Sequence, residues 1–220
     1  MKIKIWDNFT RIYHMSQLIL LALLWYSGEQ GDFELHFLCG YILLSLWLTR
    51  IIWGFIGSES ARFSHFFKSP LVVVKWLTTP HKAHSGHNPI AAYMVMAFLT
   101  LLGIQLLSGL FATDDVLAEG PLLYYVSDSI AEFMDGLHSD NFDYLLTLIA
   151  LHIVAAVIHT LRADNVIKTI ITGTTTDQEL VRELAQENKK LSFANSIVAL
   201  IIWLIIFLLL GYFWLGEEEF

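Results

Sequence analysis

Residues 138–152, HSDNFDYLLTLIALH, decide how the chain folds. A histidine opens the stretch and a second closes it fourteen positions later, with a largely apolar run between them. At ~100° per residue, fourteen residues fall ~40° short of four full turns, so on a helix His138 and His152 share a face, ~21 Å apart along the axis. An apolar helix with imidazoles at two depths calls for partners at those same two depths.

Composition sets the solvent. Of 220 residues, 55% are hydrophobic and 15% charged, with mean hydropathy +0.57, which is the profile of a polytopic membrane protein. Apolar segments near 11–27, 35–57, 90–112, 142–162 and 194–214 each approach the ~20 residues that cross a bilayer core. No small-residue cleavage site follows the first, which reads as a retained helix. The expected fold is all-α: a four-helix integral membrane bundle over 1–173, a surface helix or linker over 174–193, and a fifth transmembrane helix with an acidic tail over 194–220. TTTDQELVRELAQENKK carries the capping pattern of that surface helix. No internal repeat or low-complexity tract is visible. The single cysteine, Cys39, excludes an intrachain disulfide, and the lack of a CxxCH sequence excludes covalent haem attachment.

Charge gives the orientation. All 13 Lys and Arg fall on the side of the N-terminus and the even loops, whereas the other side has none and carries 14 of the 21 acids. The positive-inside rule puts the N-terminus in the cytoplasm and the C-terminus outside.

The histidines then sort by depth. His36, at the outer start of helix two, meets His138 at the outer mouth of helix four; His14, near the inner start of helix one, meets His152. Two levels separated by ~21 Å accommodate two haems stacked across a membrane, each with two axial imidazoles, an arrangement that favours electron transfer over binding of oxygen or substrate. The competing reading makes these histidines buried polar groups satisfied by helix contacts, or a proton relay in a haem-free transporter. His159 follows His152 by only ~10 Å, too little for a second upright porphyrin. It reads either as a residue at the inner haem's edge or a bound quinone, or as an interfacial histidine.

The residues also carry a resemblance. IWDNFTRIYH at 5–14, LHFLCGYILLSLWLTRIIWGFIG at 35–57, GHNPIAA at 86–92, and the 138/152 pair followed by HIVAAVIH resemble the bacterial cytochrome b561 family, which includes the cytochrome b subunits of nickel-iron hydrogenases. The resemblance covers about 1–173. It implies four helices enclosing two haem b groups, with His14, His36, His138 and His152 as iron ligands. It also implies electron transfer between an extracytoplasmic redox protein, a c-type cytochrome or a hydrogenase-like partner, and the quinone pool. A stand-alone superoxide or small-reductant:quinone oxidoreductase is the alternative it implies. Lipid surrounds the protein, and nothing in the pattern calls for nucleic acid.

Smaller features have two readings each. Gly40, Gly103 and Gly109 let either a porphyrin or a neighbouring helix approach the backbone. Arg50 and Arg162 end helices two and four on the inner side, where they snorkel, pair with haem propionates, or do both. HKAHSGH at 81–87 is a metal site or a surface cluster, and the tryptophans near segment ends form an interfacial belt.

Overall fold

The computed structural model describes residues 2–66, 69, 71, 89–113, 118–162, 165–176 and 191–215. Among these the chain forms seven helices: α1 Asn8–Gln30, α2 Phe33–Ile56, α3 Phe63–Phe66, α4 Pro89–Gly109, α5 Asp128–Leu161, α6 Val166–Thr172 and α7 Ser196–Leu215. A two-stranded antiparallel ribbon pairs β1, Ile3–Lys4, with β2, Thr174–Thr175. Packing divides the chain into two units. The first holds residues 1–14, 50–97 and 151–201, and the second 15–49, 98–150 and 202–220. The same division separates the charges: the first unit has all 13 basic residues and 7 acids, the second 14 acids and no base, or +6 and −14 within the chain's −8.

In the first unit, Asp7 caps α1: its carboxylate accepts from the Thr10 amide (2.7 Å) and hydroxyl (3.1 Å), satisfying a donor that the helix start leaves open. The same carboxylate accepts from the Trp53 indole at 3.3 Å, tying α1 to α2. Gly173, at φ +76°, ends α6 in the left-handed conformation, and its carbonyl accepts from the Ile5 and Trp6 amides. The turn after α2 is bonded to the segment leading into α7, with the Ser192 amide donating to Glu59 (3.0 Å) and the Ala194 amide to Ser58 Oγ (3.0 Å).

In the second unit, Gly31 (φ +68°) closes α1 and Asp32 opens α2, accepting from the Leu35 amide at 3.2 Å. Leu43, Leu102 and Leu145, from three helices, are wholly buried. Trp47 donates to the Leu99 carbonyl at 2.9 Å, over Gly103, where a Cβ would stand 2.5 Å from the indole. Asn141, 3% exposed, donates to Leu101 O and Gln105 Oε1, and Gln105 donates to the His138 carbonyl. These bonds satisfy polar groups that no water reaches, and so specify how α4 meets α5. The last helix docks through Trp203 to Ser45 Oγ (3.0 Å) and Tyr41 to the Phe207 carbonyl.

Large apolar side chains such as Ile12, Leu18, Leu151, Val154 and Leu208 lie exposed along the helices, a surface fit for lipid rather than water. Helices α2, α4 and α5 are long and apolar enough to cross a membrane. Together with the family evidence below, they make this a multi-pass membrane protein.

The structure corrects the expected start of the fourth helix. Apolar character begins near 142, which makes about 113–141 read as an acidic loop, but α5 begins at Asp128, so 128–141 belongs to the helix. Its 34 residues make ~51 Å, well beyond the ~30 Å core. Its polar first third is held by Asn141 and Gln105 rather than by hydropathy. The 81–87 histidine cluster, most of the proposed 174–193 surface helix, Asp114, Asp115 and the terminal acids lie outside the described residues.

Candidate functional site: two imidazole pairs

The structure brings four of the singled-out histidines together as two ring pairs, one in each unit. In the first unit, His14 of α1 faces His152 of α5 with ring centroids 6.3 Å apart. In the second, His36 of α2 faces His138 of α5 at 6.4 Å. An ion bonded to one nitrogen of each ring at ~2.0 Å, the usual metal–imidazole distance, holds those nitrogens ~4 Å apart and the centroids roughly 6 Å apart. Both pairs therefore have the spacing of two imidazoles sharing one iron.

The second-unit pair is oriented by two copies of one local device. His36 Nδ1 donates to the Leu24 carbonyl (3.1 Å) and lies 3.2 Å from Ser27 Oγ, whose hydroxyl bonds the same carbonyl. His138 Nδ1 donates to the Gln105 carbonyl (2.9 Å) and lies 3.3 Å from Ser108 Oγ, again bonded to that carbonyl. A carbonyl only accepts, so the proton sits on Nδ1, and Nε2 keeps the lone pair that a metal needs. A glycine follows each serine. Gly109 makes room for the ring, because a Cβ there would stand 2.8 Å from His138, whereas one on Gly28 would meet His36 at ordinary contact distance, 3.5 Å. LWYSG at 24–28 and QLLSG at 105–109 are thus the same cradle on two helices. Beside them lies a cavity of about 810 Å³, lined by His36, His138, Gly40, Trp25, Phe37 and Leu102. Its size falls within the ~300–1,000 Å³ typical of cofactor sites. The donor set, the tautomer and the cavity all fit a b-type haem.

The first-unit pair has different surroundings. His14 Nδ1 is buried without a hydrogen-bond partner among the described residues, as are Tyr13 OH, Arg50 Nη1, Ser60 Oγ and Arg62 Nε. Buried donors are rarely left unmet, so this group fits an added polar or anionic ligand. Arg50 is 4% exposed, and the turn Ser58–Phe63 folds back over it. Its Nη2 donates to Ala61 O at 3.3 Å, and the Phe63 ring lies 5.5 Å away. Arg50 therefore does not snorkel to the surface. Arg162, by contrast, is exposed just beyond α5. Arg11 is engaged with the Ile171 carbonyl at the end of α6, and His159 is half-buried in the last turns of α5. Gly40 lines the second-unit cavity, with its nearest neighbour, Leu24, at ordinary contact distance.

Sequence reading missed Ser27, Gly28, Gln105, Ser108, Asn141 and Tyr13. The signal was there, in Ser-Gly steps near the ends of two apolar segments and in Gln105 within one of them.

Paired imidazoles on lipid-exposed helices, without covalent attachment, define a membrane b-type cytochrome that transfers electrons. The comparisons agree: residues 5–173 match the family model of prokaryotic cytochrome b561, and the chain belongs to that family. The chain is also similar to a probable Ni/Fe-hydrogenase B-type cytochrome subunit of Bradyrhizobium diazoefficiens, 32% identical over 77 residues, covering 30% of this chain and 31% of that protein. The chain thus spans about a third of the length of that curated relative. No solved structure matches it.

Proposed function

We propose that the protein carries two haem b groups, one held by His14 and His152 and one by His36 and His138, and passes electrons between an extracytoplasmic redox protein and the quinone pool. The observation that carries this is the equality of the two ring separations, 6.3 and 6.4 Å, in pairs built from different helices. A bound haem would supply reversible one-electron chemistry at its iron, and two imidazoles holding that iron would leave no place there for a substrate. The Ser-Gly cradles hold His36 and His138 in the ligating tautomer before any cofactor arrives. Tyr13 and Arg50, with buried donors unmet, offer partners for a haem propionate in the first unit. His159, on α5 beyond His152, and Arg162, just past the helix end, are suited to a quinone carbonyl and its proton.

Orientation follows from charge: the side of the N-terminus and the even loops, which carries every lysine and arginine, belongs at the cytoplasmic face. On this reading α1 and α7 also cross the membrane, completing the four-helix haem domain over 1–173 and the fifth span. Similarity to a hydrogenase-associated subunit supports a hydrogenase-like donor, and a c-type cytochrome fits the acidic face equally well.

Haem content tests the proposal. The purified chain is expected to hold two non-covalent haems. His14→Ala or His152→Ala should each remove one haem, and His36→Ala or His138→Ala the other. A wild-type chain with one haem, or a His138→Ala variant retaining two, would refute the assignment.

A further inference from the structure

We propose that the outer third of α5, residues 128–141, together with the turn that leads into it, is the docking surface for a soluble redox protein of basic surface. The choice of a redox protein as occupant rests on the electron-transfer reading above.

The first observation is depth. The apolar run of α5 begins near 142, and the helix extends outward from there to Asp128. At 1.5 Å per residue that extension reaches ~21 Å beyond the bilayer core, whereas the headgroup layer adds only ~5–8 Å on each side. Phe133 stands ~13 Å past the core edge and Ile130 ~18 Å past it. Both are beyond lipid.

The second observation is exposure. Phe133 is 65% exposed and Ile130 45%, and at a spacing of three residues they share one side of the helix. The remaining apolar residues of this stretch, Ala131, Met134 and Leu137, are buried or half-buried. Tyr125, within ~10 Å of the helix start, is 71% exposed and also lines the cavity beside His36 and His138. Large apolar side chains held out in water mark a surface that another protein covers, and aromatic residues are enriched on such surfaces. Tyr144 supplies the contrast. It falls within ~20° of Phe133 around the helix and is 66% exposed, yet it lies inside the apolar run, where lipid covers it.

The third observation is charge, and it selects the occupant. Asp128, Glu132 and Asp140 are exposed along the same stretch, and the second unit has no lysine or arginine in its sequence. A second copy of this chain would set carboxylates against carboxylates with no cation between them. A partner with lysines around an apolar contact matches both features. Its cations speed encounter with the carboxylates, and contact with Phe133 and Ile130 slows release. Docked there, it stands beside the helix that carries His138, which lies ~7.5 Å along the axis from Phe133.

The test uses the full-length protein in nanodiscs of uncharged phospholipid, with a soluble c-type cytochrome of basic surface as the probe. Phe133→Ser and Glu132→Lys should each weaken its binding at least tenfold, with haem content unchanged, and Tyr144→Ser should not. A nitroxide label on Phe133→Cys should be reached by an aqueous nickel chelate and shielded when the cytochrome is added, whereas one on Tyr144→Cys should be reached by oxygen dissolved in lipid. Native Cys39, 3% exposed, stays unlabelled. Wild-type binding in both Phe133→Ser and Glu132→Lys, with electron exchange intact, would overturn this surface and leave the electron-transfer reading standing. Lipid-like accessibility at 133 would overturn it too, as would failure of the wild type to bind the basic cytochrome. A wild-type dimer dispersed by Phe133→Ser would give the surface to a second copy instead. A wild-type chain without haem would overturn the electron-transfer reading and the choice of occupant together.

Discussion

Gly109→Ala is the sharpest probe of the Ser-Gly cradle. The added methyl would stand 2.8 Å from His138 Cε1 and 3.1 Å from Nδ1, whereas unstrained heavy atoms settle about 3.5–4.0 Å apart. The ring must retreat by roughly 0.7 Å, but it is tethered at 2.9 Å to the Gln105 carbonyl. Retreat stretches that bond past the ~3.2 Å at which such bonds weaken. Losing most of it costs about 0.5–1.5 kcal/mol, and a twisted imidazole rotamer adds about 0.5–1.5. The expected total of about 1–3 kcal/mol falls on the His36/His138 site, weakening haem retention there by roughly five- to 150-fold. The assay is the rate at which each haem passes to an excess of a haem-scavenging apoprotein, followed by absorbance. Gly136→Ala, in the same helix as His138 with nothing within 4 Å of its added methyl, is the control and should leave both rates unchanged. Wild-type retention in Gly109→Ala, or selective loss of the His14/His152 haem, would refute the cradle.

Asn141→Leu removes the donor to Leu101 O and Gln105 Oε1 and leaves buried acceptors unmet. A loss of about 1–3 kcal/mol is expected in reversible unfolding in mild detergent, and an unchanged midpoint would show that α4 and α5 do not depend on this network. His159→Ala is expected to slow quinone reduction by tenfold or more with both haem spectra intact, as for loss of a proton donor; unimpaired turnover would remove His159 from the quinone site. Stopped-flow haem reduction by a basic redox protein should slow steeply with added salt, because exposed carboxylates are screened beyond ~8 Å at physiological ionic strength. A rate indifferent to salt would mean apolar docking.

How much of this was legible in the sequence differs from feature to feature. Hydropathy alone determined that the chain lives in a membrane, because a long apolar run has few other places to go. The positions of lysine and arginine divided it into a basic and an acidic part that coincide with its two packed units. Helical periodicity placed His138 and His152 on one face, since an uninterrupted helix fixes angle and rise. Hydropathy was silent on what hydrogen bonds decide. It began the fourth segment near 142, although α5 runs back to Asp128. It also treated Arg50 and Arg162 alike, although a returning turn buries only the first. The carbonyls of Leu24 and Gln105 leave no trace in side-chain identity, because every residue has one. Which carbonyl meets which imidazole is set by how helices pack, and so the tautomers of His36 and His138 were decided by the tertiary structure alone.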